Sequence, residues 1–268
     1  KNIFIVLLLF WSLAPLVWQL YTSFCSSEAI TNPLSNSLNR WTLKNYIDLF
    51  TLDPPFWRYM LNSLIVGFTS TILTIIIAIP ASYILTKLRK NISNILYIIL
   101  FICALFPYVL LFLALLEIAR EFDIANNLVA LSIPYSALSM PLAILLLTSA
   151  FDGLPSELED AARIEGLGLF QRLRFILIPL IMPAISSTSI LVFLFSWNEY
   201  PIALTWISES KLQTLPVAIA RIAGSSIYSV PYGAYAAATV IGAIPVLVIV
   251  MFFQKQIVSG LTKGALKG

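Results

Sequence analysis

Residues 61–85, LNSLIVGFTSTILTIIIAIPASYIL, contain no Asp, Glu, Lys or Arg. A helix needs about 20 mostly apolar residues to cross the hydrocarbon layer of a bilayer, so this stretch predicts a membrane span. Five further runs of the same kind lie between charged or proline-rich breaks, over residues 3–24, 92–116, 128–151, 180–202 and 232–253. The predicted fold is therefore all-α: a polytopic membrane protein with six transmembrane helices in one domain spanning residues 1–268. Composition agrees, because 59% of the 268 residues are hydrophobic and only 11% are charged, more apolar than one soluble core can hide. Several runs carry an internal proline, namely Pro15, Pro80, Pro107, Pro141 and Pro245. A bundle tolerates these when neighbours satisfy the freed carbonyls. Kinked helices around a pathway fit that pattern, and for any single proline packing alone is the plainer account.

The same composition excludes several chemistries. There is no His, and Cys25 and Cys103 are isolated from each other and from any CxxC pattern, which argues against a zinc site, a disulfide and an intramembrane enzyme. No GxxxxGK[ST] phosphate loop occurs among only 10 glycines, so ATP chemistry is not expected in this chain. A net charge of +3 implies no nucleic-acid partner. The first apolar run lacks a small-residue cleavage pattern and is expected to remain as a helix.

Orientation follows from where Lys and Arg lie. Six spans put both termini on one side, and that side holds ten of the 16 basic residues, among them Lys87, Arg89, Lys90, Arg163, Arg172 and Arg174. Both termini are thus expected in the cytoplasm. Residues 212–223, on the outer side, read as a short helix at the membrane surface.

Residues 152–179 form a cytoplasmic excursion too regular to be a passive linker. Pro155 stands where a helix accepts it, Glu157, Glu159 and Asp160 lie near the positive end of its dipole, and Glu159 pairs with Arg163 at i,i+4. Gly166 ends this helix. A second segment gathers Leu169, Leu173, Ile176 and Leu177 on one face and stops at Pro179. Physics alone leaves two readings of comparable weight: a knob whose small residues Ala161, Ala162, Gly166 and Gly168 let it enter a cleft of another protein, or an amphipathic segment lying on the bilayer.

Asp160-Ala161-Ala162, Gly166 after three residues, and Ile176-Leu177-Ile178-Pro179 after nine more resemble the E-A-A loop of ATP-binding-cassette import permeases. Asp160 stands for the usual Glu and Ile178 for the usual Leu. The string from Pro155 to Ala162, Trp41 to Tyr46, Ser196-Trp197-Asn198-Glu199-Tyr200 and the tail Gly260 to Gly268 are similar to the sugar-importing, maltose-transporter branch. The resemblance implies a six-span permease subunit in the bacterial cytoplasmic (inner) membrane. Its implied partners are two cytoplasmic ATPase subunits, a second permease and an extracytoplasmic sugar-binding protein, with ATP and Mg held by the ATPases and no cofactor or metal in this chain. It assigns Glu159, Asp160, Ala161, Ala162, Gly166, Ile176 and Pro179 to ATPase coupling. The tail, residues 254–268, with Gly260, Lys263, Gly264 and Lys267, is expected to run as an irregular segment toward the ATPase pair.

The solute path is less legible, because a polar group in a span either lines a cavity or bonds to a neighbouring helix. Trp197, Asn198, Glu199 and Tyr200 are the candidates for a substrate path or outer gate, with Glu199 expected to face water or a partner subunit. Two other functions remain open at this stage. One is import of a non-sugar solute such as glycerol phosphate or an amino acid; the other is a stand-alone secondary transporter.

Overall fold

The structure, a computed structural model, describes residues 2–26, 29–30, 41–223 and 230–265. Described residues are helical or in short connections, apart from one isolated bridge between Cys25 and Trp41. The chain divides into two compact units, Lys1–Ser63 with Ile207–Val248, and Leu64–Trp206 with Ile249–Gly268.

In the first unit, α1 (Asn2–Ser23) is followed by α2 (Lys44–Thr51). Buried Asn45 ties them together by donating from Nδ2 to the carbonyls of Ser23 at 2.8 Å and Cys25 at 2.9 Å. Gly233 permits this junction, since a Cβ there would lie 2.5 Å from Asn45 Nδ2 and 2.6 Å from the Cys25 carbonyl. At the start of α3 (Phe56–Lys87), Asn62 Nδ2 donates to the carbonyls of Lys211 and Gln213, and Ser63 Oγ accepts from the Leu215 N–H. These bonds secure the entry to α11 (Leu215–Ala223), the short helix expected on the outer side.

The second unit contains the rest of α3, α4 (Lys90–Leu105), α5 (Phe112–Glu121), α6 (Leu128–Asp152), α7 (Ser156–Ile164), α8 (Leu169–Arg172), α9 (Ile178–Asn198) and α10 (Pro201–Trp206). Its apolar core gathers Ala78 and Tyr83 of α3, Ala143, Leu147 and Phe151 of α6, and Leu177, Ile181, Ile185 and Val192. A polar seam runs beside it: Ser70 and Ser196 hydroxyls meet at 2.7 Å, Thr74 donates to Ser136 at 3.0 Å, and Ser82 donates to the Ile144 carbonyl at 3.2 Å. In lipid, such bonds and close packing replace the hydrophobic drive that water supplies elsewhere.

Four described helices are long and apolar enough to cross a membrane, Phe56–Lys87, Leu128–Asp152, Leu169–Asn198 and Tyr232–Gln254. Leu7–Ser23 of α1 is a shorter apolar helix. The third predicted span is not one helix: Lys90–Leu105 and Tyr108–Glu121 meet at 79°. Pro107 supplies the reason, because it has no N–H to continue the ladder and holds Phe106 extended at φ −64° and ψ 131°.

The fifth span differs at both ends. Instead of stopping at Pro179, the helix runs without a gap from Leu169 to Asn198 through a π turn over Leu173–Leu177. There the Ile178 N–H reaches the Leu173 carbonyl, five residues back, and this wider turn carries the helix past Pro179. At the other end Glu199 is extended, so residues 201 and 202 belong to α10. The expected irregular tail is also corrected. The last helix, α12 (Tyr232–Ala265), takes the backbone at Gly260, Lys263 and Gly264 with it, because two glycines at about 1 kcal/mol each do not break a long helix that meets no further proline. Lys267 lies outside the described residues.

Candidate functional site

The connection between α6 and α9 is built from local rules. Pro155 precedes the first turn of α7, where its missing N–H costs nothing, and Glu157 and Glu159 fall in that turn. At the far end Gly166 has φ +80°, its N–H donates to the Arg163 carbonyl, and the Leu167 N–H donates to the Ala162 carbonyl, each at 3.0 Å. This pair of bonds is the Schellman pattern, which needs a left-handed residue where Gly166 stands. Gln171 Oε1 then accepts from the Gly168 N–H at 2.9 Å and starts α8.

The geometry divides the predicted coupling residues into two faces. Asp160, Ala161 and Gly166 are exposed, joined by Ile164 at 87% exposure and Phe170 at 70%. Glu159 and Ala162 instead face inward and are buried, while Ile176 is half-buried and Pro179 exposed. Glu159 is an anchor. Its carboxylate accepts from Tyr83 Oη at 2.6 Å and from Arg163 Nη2 at 2.8 Å, and pairs with Lys87 Nζ at 2.5 Å and Arg172 Nη1 at 3.5 Å. Burial alone pushes its pKa upward, but the bonds from Lys87, Tyr83 and Arg163 outweigh burial and hold it at about 2. One carboxylate thereby ties α7 and the end of α8 to the end of α3.

The sequence singled out Glu159 and Arg163 but missed Tyr83 and Lys87, whose distance along the chain leaves no local signal. It also missed Ile164 and Phe170. Their signal was available: two large apolar side chains beside a turn otherwise rich in charge and small residues.

At the outer end of α9 the four candidates separate again. Trp197 is buried and stacks on Phe193, centroids 5.6 Å apart. Glu199, expected to face water or a partner, is instead 2% exposed. It accepts the Tyr135 hydroxyl and the N–H groups of Ile202 at 2.9 Å and Ala203 at 3.0 Å, so the start of α10 satisfies its charge inside the chain. Asn198 and Tyr200 are exposed, and Asn198 Nδ2 donates to the Leu194 carbonyl at 2.8 Å. Among the described residues no cluster of His, Cys, Asp or Glu is arranged to hold a metal.

Residues 78–263, which include the α6–α9 connection and the whole of α9, match the family described as "binding-protein-dependent transport system inner membrane component". The chain belongs to this family. The permease is 36% identical over 257 residues to the sulfoquinovosyl glycerol transport system permease of Agrobacterium fabrum, covering 96% of this chain and 89% of that one. It is 34% identical to the trehalose/maltose transport system permease of Thermococcus litoralis, covering 96% and 92%. It is also 34% identical to the trehalose transport system permease of Mycobacterium tuberculosis, covering 85% and 82%. In fold the permease is similar to a chain of a bacterial ABC transporter involved in import of the acidic polysaccharide alginate, with TM-score 0.64 and 13% identity, covering 100% of this chain and 96% of that chain. A chain of the MetNI methionine ABC transporter gives TM-score 0.62 at 17% identity, covering 82% and 99%.

Proposed function

We propose that this inner-membrane permease carries a sugar, such as a disaccharide, a glucoside or a glycosylated osmolyte, into the cytoplasm. It receives the solute from an extracytoplasmic binding protein, pairs with a second permease, and is driven by two cytoplasmic ATPases that hold the ATP and Mg. Both termini lie in the cytoplasm, and the end of α12 extends toward the ATPases. The sugar assignment is supported by the transport systems in which the similar permeases are named, and the driving role by one observation: an outward face of Asp160, Ala161, Ile164, Gly166 and Phe170 on a connection anchored from behind by Glu159.

The mechanism follows from that anchoring. A knob that moved independently of the spans would absorb the motion of a partner. Here α8 runs into α9 as one helix, and the Glu159 cluster couples the knob to α3. Displacement by a closing ATPase pair is thus passed to two membrane helices at once. The apolar side chains Ile164 and Phe170 supply affinity, the alanine allows close approach, and Asp160 offers a carboxylate to a basic group.

The test is co-purification of the ATPase with the permease, beside Ile164→Glu. Burying one Ile is worth about 2 kcal/mol, so the variant should bind the ATPase about 30-fold more weakly and lose sugar uptake while remaining in the membrane. Because Gly166 has φ +80°, a substitution there would strain the turn as well as the interface, which makes Ile164 the cleaner site. An Ile164→Glu permease that recovers the ATPase in full and transports normally would refute the docking face.

A further inference from the structure

A cavity of about 460 Å³ lies in the second unit between the end of α4, the 3-10 turn Tyr108–Leu111, α6 and α9. Its volume is within the range of about 300–1,000 Å³ typical of small-molecule sites. Cys103, Phe106, Tyr108, Ser139, Thr188 and Phe195 are among its lining residues. Two of these carry the argument. Ser139 Oγ and Thr188 Oγ1 are buried and have no hydrogen-bond partner, with the residues 9% and 1% exposed.

That is unusual for a hydroxyl in a membrane helix, because the carbonyl three or four residues earlier is always within reach. Ser132 and Thr148 of α6, and Ser187 and Ser196 of α9, all bond back in this way. Ser139, midway along α6, and Thr188, midway along α9, do not. They line the same cavity from two helices, where lipid tails offer nothing to bond.

The broken span adds an independent observation. Non-helical backbone at membrane depth persists only where protein buries it or where it lines a cavity, and interrupted helices frame solute sites in transporters. Phe106 and Tyr108, on either side of Pro107, line this cavity. Sixteen residues of α4 put the break about 24 Å along the span from Lys90, still within a hydrocarbon layer about 30 Å thick.

We propose that this cavity is a sugar-binding station on the translocation path, in which the Ser139 and Thr188 hydroxyls bond ring hydroxyls of the solute while Phe106, Tyr108 and Phe195 cover its C–H faces. A sugar ring presents both chemistries at once, hydroxyls around its rim and apolar faces. A lipid chain would leave both hydroxyls unsatisfied. The proposal rests on the sugar-import reading and extends it by placing solute contacts in this subunit, away from the Trp197–Tyr200 motif.

Cys103 provides the readout. In the assembled transporter with Cys25→Ser, reconstituted with its binding protein, uptake of trehalose, maltose and sulfoquinovosyl glycerol is measured together with the rate at which a small maleimide modifies Cys103. A transported sugar should slow modification, and Ser139→Ala with Thr188→Val should abolish that protection and reduce uptake about tenfold. Recovery of the ATPase with the variant checks that it is folded and assembled. Transport of one of these sugars with Cys103 modified equally fast in its presence and absence, the result a resident lipid chain would give, overturns this inference and leaves the import reading standing. Failure of the parent transporter to take up these three or any other disaccharide, glucoside or glycosylated osmolyte overturns both.

Discussion

Glu159 shows how one side chain can anchor a whole connection between helices. It is 6% exposed, yet three cations and a phenol surround it. Lys87 and Arg163 side chains are 47% and 55% exposed and can return to water if the carboxylate is lost. Arg172, at 12%, cannot. Glu159→Gln should therefore destabilise the second unit by about 2 kcal/mol, chiefly by leaving Arg172 buried without a counter-charge. Because the folded pKa is depressed to about 2, the carboxylate stabilises the fold fully above its ordinary pKa and loses that contribution as pH falls toward 2. The gap in thermal stability between parent and Glu159→Gln, measured in detergent, should stay constant from about pH 8 to about pH 5 and close only below about pH 4. A gap that already narrows between about pH 7 and pH 6 would assign the stabilisation to another group.

Small polar contacts join helices of the second unit alongside its apolar core. Gly67 lets α3 and α9 approach until a Cβ would lie 2.7 Å from the Phe193 ring, and the Ser70–Ser196 bond follows on the next turn. Paired hydroxyls between membrane helices contribute about 0.6 kcal/mol on average. A double-mutant cycle of Ser70→Ala and Ser196→Ala, read by thermal unfolding in detergent, should return a coupling of that order, and a coupling of zero would mean that packing alone joins these helices. Elements of this kind also set the limit of what the sequence discloses. Apolar runs reveal the spans because every residue contributes to the signal, and Gly166 reveals the turn because its conformation is a local requirement. Breaks are different. Pro80 passes inside α3 whereas Pro107 ends α4, and the outcome depends on what packs against each. The same limit hid Glu159's partners in α3 and the burial of Glu199 against Tyr135, contacts that only the folded chain creates.

At the scale of the whole molecule, the bent third segment decides the topology. Four long apolar helices, the shorter one in α1 and the bent pair make an even number of crossings only if Lys90–Glu121 carries the chain through the bilayer. If it dipped in and returned, every later segment would be inverted, and the α6–α9 connection would lie on the opposite side from the α3–α4 turn. The structure argues against inversion, because Lys87 beside that turn pairs with Glu159 in α7 at 2.5 Å, which requires both on one side. The basic residues Lys87, Arg89, Lys90, Arg163, Arg172 and Arg174 then all lie on one side, the side that the proposed orientation puts in the cytoplasm. Arg89→Cys and Asp123→Cys, each in a background with Cys25→Ser and Cys103→Ser, test this directly with a membrane-impermeant maleimide. In intact cells with an opened outer barrier the reagent should modify the cysteine at 123 and spare that at 89, and inverted vesicles should reverse the pattern. Modification of both from the same side would mean that the bent segment does not cross, and the coupling face could not then meet a cytoplasmic ATPase while the α3–α4 turn stays inside.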